Sequence, residues 1–131
     1  MYEIDPIQDI ELGNIRPLAL KALCALANEL LIADGVMVKG FIRKTVEKKT
    51  GISATTVGKV LRSAIAHGFI RDVPGSKGLK IESDKPVSDL IKICEKGIRD
   101  YLEFGFKLNR YVWSFEFDEY IDHLLNPTQD Q

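Results

Sequence analysis

Residues 16–33, RPLALKALCALANELLIA, constrain the fold more than any other segment. Leu20, Leu23, Ala27, Leu30 and Leu31 share one helical face, and Leu18, Ala22, Leu26 and Ala33 fill much of the rest. A helix that is apolar on nearly every side is buried on nearly every side. The other elements must surround it, or a second subunit must cover part of it. Pro17 suits a first helical turn, where its missing N–H is no loss. Asp34-Gly35 supplies the stop. Lys21, Asn28 and Glu29 interrupt the run, so it falls short of the ~18–20 apolar residues of a membrane span.

The remaining punctuation predicts a mostly α chain with a small β-hairpin. Residues 1–15 form an acidic arm whose Ile4, Ile7, Ile10 and Leu12 fit a strand, a short helix or a loose lead-in. Val36, Met37 and Val38 make a short extended stretch. Residues 40–49 read as a helix with Ile42, Thr45 and Val46 inward and Gly51 as its stop. Ser53 is a good N-cap for a helix over 53–67, with Val57, Leu61 and Ile65 as its inner stripe and Gly68 as its end. Residues 69–73 and 79–81 read as strands around the Pro-Gly-Ser-Lys-Gly turn at 74–78. A long helix follows, from about residue 84 or 86 to about 104. In it Val87, Ile91, Cys94, Ile98 and Tyr101 make a heptad-like seam, and Gly97 leaves room for another helix to approach. The aromatic tail predicts a last helix over 114–125 and disorder over 127–131, with 106–113 left open. The domain reading is thus an arm at 1–15, a central domain at 16–84, C-terminal helices at 85–126 and a tail.

Charge is unevenly spread. The chain of 131 residues has a net charge of −1. Between residues 39 and 80, however, ten basic residues face only Glu47 and Asp72, giving +8. The rest has eight basic and seventeen acidic residues, giving −9. A basic third on an acidic body suits a local polyanion site, although a solvated lysine-rich face gives the same count.

Residues 50–70, TGISATTVGKVLRSAIAHGFI, decide between these. The turn at Gly51, then Ile52-Ser53, Thr56-Val57, Leu61 and Gly68-Phe69-Ile70, resembles the winged helix-turn-helix DNA-binding proteins of bacterial and archaeal regulators. Helix, short strand, helix, turn, helix and hairpin follow one another in that fold's order, and the flanking helices are similar in layout to MarR-like dimers. The resemblance implies extra C-terminal helices that pair two subunits. It also implies double-stranded DNA as partner, for a transcriptional regulator or a plasmid or phage replication or partition factor.

A major groove admits one helix, whose exposed polar face must do the reading. With Val57, Leu61 and Ile65 inside, Ala54, Thr55, Gly58, Lys59 and Arg62 face outward. Thr55, Lys59 and Arg62 are the expected base or phosphate contacts, and the small Ala54 and Gly58 permit close approach. Ser53, with Thr56 beside it in the first turn, is expected to leave backbone N–H groups facing a phosphate. Arg43, Lys44 and Lys48 on the preceding helix, and Lys77 and Lys80 on the wing, would meet the backbone. Leu20, Leu23, Val87, Ile91, Cys94, Ile98 and Tyr101 are the expected homodimer contacts. The alternative is a winged helix that docks a protein instead of DNA.

Other classes have less support. No Gly-rich phosphate loop, HExxH, GxSxG or CxxC pair occurs, so no enzyme is expected and no cofactor. Glu119 and His123 share a helical face without a further ligand, so no metal is expected. Cys24 and Cys94 read as buried free thiols. His67 reads as a partner for the dipole of its own helix. The tail aromatics suit packing better than an effector pocket. The acidic start lacks the order of a signal peptide, which favours the cytoplasm.

Overall fold

The apolar helix at Pro17–Ile32 is the axis of the fold, and every other described helix packs on it. The structure is a computed structural model that describes residues 4–101. The expected helix at 114–125, the open stretch 106–113, the 127–131 tail and the Glu119–His123 pair lie outside the described residues. Within them are five helices and three strands: α1 (Pro6–Leu12), α2 (Pro17–Ile32), β1 (Val36–Val38), α3 (Lys39–Thr50), α4 (Ala54–Ala66), β2 (Ile70–Asp72), β3 (Lys80–Ser83) and α5 (Val87–Asp100). The described part of the chain is therefore mostly helical with a small antiparallel sheet. No described helix is long and apolar enough to cross a membrane.

In α2, nine apolar side chains are buried together with Lys21 and Glu29. At its end Asp34 and Gly35 both take positive φ, and the Gly35 N–H returns to the Leu30 carbonyl at 2.8 Å. This left-handed exit turns the chain into β1. The sheet order is β1-β3-β2. β3 therefore pairs on both sides, Met37 and Asp72 each lying opposite Ile81. Ile81 is wholly buried and anchors the sheet on the helices. The extended stretch at 36–38 is thus a third strand beside the hairpin.

The undecided arm is a helix. Asp5 caps α1 by accepting the Gln8 N–H at 3.0 Å, Pro6 opens the first turn, and Gly13 closes it at φ 71°. A seven-residue helix does not stand alone in water, so burial must hold it. Ile7 and Ile10 enter the common core, and Arg16 Nε meets Asp9 Oδ2 at 2.6 Å. Asp5 also accepts a bond from Ser63 Oγ at 2.8 Å and lies 3.0 Å from His67 Nε2, tying the arm to the end of α4. His67 thus partners Asp5 rather than serving only the dipole of α4. Burial works to raise the Asp5 pKa, but the bonds from Gln8, His67 and Ser63 outweigh it and hold the carboxyl below its ordinary 3.8. A carboxyl with a lowered pKa adds stability above its ordinary value, and that stability is lost as pH falls through the lowered one. Asp5→Ala is expected to lower stability by about 1–2 kcal/mol at neutral pH. Denaturant melts should show this gap closing as pH falls below the ordinary 3.8.

α5 corrects the expected dimer seam. Its inner face is Leu90, Cys94, Gly97, Ile98 and Tyr101, and it packs on α2 and α1 of the same chain. Leu20, Leu23, Cys94, Ile98 and Tyr101 are all buried within one chain, and Val87 and Ile91 lie half-buried at the margin. The heptad spacing is real, but its partner is the apolar excess of α2. Gly97 fixes how close they come: a Cβ there would lie 2.8 Å from Leu20 Cδ1 and 2.9 Å from Ile10 Cδ1. One core therefore joins residues the sequence divides among arm, central domain and C-terminal helices. Cys24 and Cys94 are free thiols buried in it. Burial first, and contact with Cys94 second, push the Cys24 thiol well above its ordinary pKa.

Candidate nucleic-acid interface

α3, the turn at 51–53 and α4 form a braced unit. Ile42 and Val46 anchor α3, and Val57, Val60, Leu61 and Ala64 anchor α4. Ile65, expected in the inner stripe, is half-buried at the edge of the core, and Val60 and Ala64 complete the buried face. In the turn, Gly51 takes φ 76°. Thr50 Oγ1 donates to the Val46 carbonyl at 2.7 Å and accepts the Ile52 N–H at 3.1 Å. Ile52 is buried, so the turn is fixed from both sides.

The exposed face of α4 carries Thr55, Lys59 and Arg62, as its periodicity predicts. Beside it runs a groove of about 250 Å³ between α3 and α4, lined by Lys39, Arg43, Gly58, Lys59, Arg62 and Ile65 among others. Arg43 differs from expectation. Its Nε and Nη2 donate to the Ala54 carbonyl at 3.3 and 3.2 Å, so it braces the start of α4. Gly58 makes this possible: a Cβ there would lie 3.0 Å from the Arg43 guanidinium carbon. The missing side chain at Gly58 therefore serves Arg43 within the fold, as well as leaving α4 slim.

The start of α4 differs too. Ser53 Oγ accepts the Thr56 N–H at 3.3 Å and donates to Thr56 Oγ1 at 3.1 Å. The carboxylate of Glu47 takes the Ala54 N–H at 2.7 Å. An acidic side chain thus stands where the sequence reading places a phosphate. Ser53, Ala54 and Thr56 shape the helix start, while Thr55 keeps an exposed side chain.

Folding also redistributes the charge. Lys49 meets the buried Glu29 at 2.7 Å, and Lys39 meets Asp72 at 3.1 Å. Arg71 pairs with Glu82 and lies 3.8 Å from Asp84. Glu29, Glu82 and Asp84 lie outside residues 39–80, so the +8 of the segment overstates the local charge. Lys44, Lys48, Lys59, Arg62, Lys77 and Lys80 are exposed and make no ion pair among the described residues.

The loop between β2 and β3 is ordered by Ser76. Its Oγ donates to the Val73 carbonyl at 2.7 Å and accepts the Lys80 N–H at 3.3 Å. Gly75 and Gly78 have positive φ, and so does Lys77 at 56°, placing a cation at the tip. Sequence reasoning missed Glu47 and the bracing role of Arg43. For Glu47 one signal was available: no other acid lies between Lys39 and Arg71.

No group of three or more His, Cys, Asp or Glu placed to hold a metal occurs among the described residues. Comparison with protein-family models, curated proteins and solved structures gives no match. The residues and their geometry therefore carry the functional reading by themselves.

Proposed function

We propose that the chain is a winged helix-turn-helix protein that binds double-stranded DNA, with α4 in the major groove and the 73–80 wing on the adjacent backbone. The element order α2-β1-α3-α4-β2-β3, with β3 central in the sheet, matches that arrangement. One observation carries the reading. Lys59, Arg62 and Thr55 share the open face of a helix whose other side is core, with exposed cations on the preceding helix and at the hairpin tip that make no ion pair among the described residues. Lys59 and Arg62 reach bases or phosphates, and Lys44, Lys48, Lys77 and Lys80 hold phosphates. Such a protein acts as a transcriptional regulator or as a replication or partition factor. Two copies would read a two-fold site. They would pair through surfaces other than the α2–α5 seam.

Titration of a labelled duplex at several salt concentrations tests the proposal. If all six cations engage, affinity should fall about a thousandfold between roughly 50 and 200 mM salt. Absence of duplex binding at the low end rejects it and favours a protein partner for the same basic face.

A further inference from the structure

We infer that Glu47 selects the base read at the start of α4, favouring a cytosine amino group in the major groove. The inference rests on the duplex-binding reading above. Glu47 is exposed, yet its position is set by the 2.7 Å bond from the Ala54 N–H to Oε2. Arg43, one turn earlier on α3, holds the carbonyl of the same residue. The carboxylate is thus fixed at the N-terminal end of the proposed reading helix, the end that meets base edges in helix-turn-helix complexes.

Capping occupies only one oxygen of the acid. Ser53 takes the Thr56 N–H and Glu47 Oε2 takes the Ala54 N–H, two different free donors of the first turn. The exposed neighbours of Glu47 along α3, Lys44 and Lys48, are cationic. A negative charge among them weakens attraction to every nearby phosphate.

An ionised carboxylate only accepts hydrogen bonds. Phosphate oxygens and the guanine O6 and N7 are acceptors as well, so Glu47 turns them away. The cytosine N4 amino group is the major-groove donor that Glu and Asp pair with. With Oε2 engaged by Ala54, Oε1 has no hydrogen bond among the described residues and is left for that donor. Glu47 thereby converts general affinity into discrimination.

Selection of duplexes from a random pool tests this with the full chain, wild type and Glu47→Gln in parallel. The glutamine amide oxygen can keep the Ala54 bond while the charge is removed. Wild type should enrich cytosine at one position of the bound site. Changing that base should weaken wild-type binding about ten- to a hundredfold. Glu47→Gln should lose the cytosine preference, its amide N–H turning to acceptors such as guanine O6 and N7, and bind unrelated duplex up to about tenfold more tightly at ~0.1 M salt. Glu47→Ala should lose the same preference and also melt earlier, which separates reading from capping. The same preference at every position in wild type and Glu47→Gln would overturn Glu47 as a reader while leaving duplex binding intact. Failure of the wild type itself to bind duplex would overturn both.

Discussion

Duplex affinity is expected to fall about a hundredfold at ~0.1 M salt when Lys59 and Arg62 are both replaced by alanine. Each phosphate contact releases about one counterion, and its loss at that salt weakens binding by somewhat under tenfold. Two contacts give most of the effect, and a base contact by Arg62 would add to it. Stability should hardly change. Both side chains are exposed and make no ion pair among the described residues, and such surface substitutions stay within about 0.5 kcal/mol. Fluorescence anisotropy beside a thermal melt separates the two. The single variants divide the roles: Arg62→Ala should relax sequence preference, whereas Lys77→Ala should weaken all sequences alike. Unchanged affinity in the double variant would remove α4 from the interface.

The largest loss of stability is expected from Leu23→Ala, about 3 kcal/mol or more, with a fall in melting midpoint of about 10 °C or more. Leu23 is wholly buried near the middle of α2, the helix on which α3, α4 and α5 all pack. Truncation removes the transfer free energy of the lost atoms and leaves a cavity that neighbours on several elements cannot all collapse into. The measurement also tests where the seam lies. If Leu23 packs within one chain, the shift should be the same at every protein concentration. If it packed between subunits, the shift would grow on dilution. A concentration-dependent loss would restore the intersubunit seam that the fold replaces.

Much of this architecture was legible in the sequence because its punctuation is strong. Pro17 and Gly35 bound α2, Ser53 and Gly68 bound α4, and the Pro-Gly-Ser-Lys-Gly turn marks the wing. Each is a local requirement of the backbone, so it survives without tertiary information. α1 carried the same marks, Asp5-Pro6 at its start and Gly13 at its end, but its few apolar residues also fit a strand. Burial of Ile7 and Ile10 in the common core decides it, with α1 packed on α5 and α4, elements remote in sequence. The heptad in α5 was read correctly as a contact face, but spacing cannot say which helix fills it. Folding likewise brings Glu29, Glu82 and Asp84 onto cations a linear count leaves unpaired. The exposed faces were legible, whereas the polar braces of Arg43 and Glu47 depend on how α3 crosses α4.

Lys39 joins two parts of the proposed interface. Its N–H donates to the Leu79 carbonyl at 2.8 Å, its ammonium reaches Asp72, and its side chain lines the groove against α4. The base of the β2–β3 hairpin is thereby pinned to the first turn of α3, the helix that braces α4. In the proposed complex the hairpin and α4 would act as the jaws of a caliper held by these contacts. On a stiff duplex, a caliper of fixed opening measures groove width as well as chemistry. Sequences whose minor groove narrows or widens away from that setting would be penalised at base pairs the protein never touches.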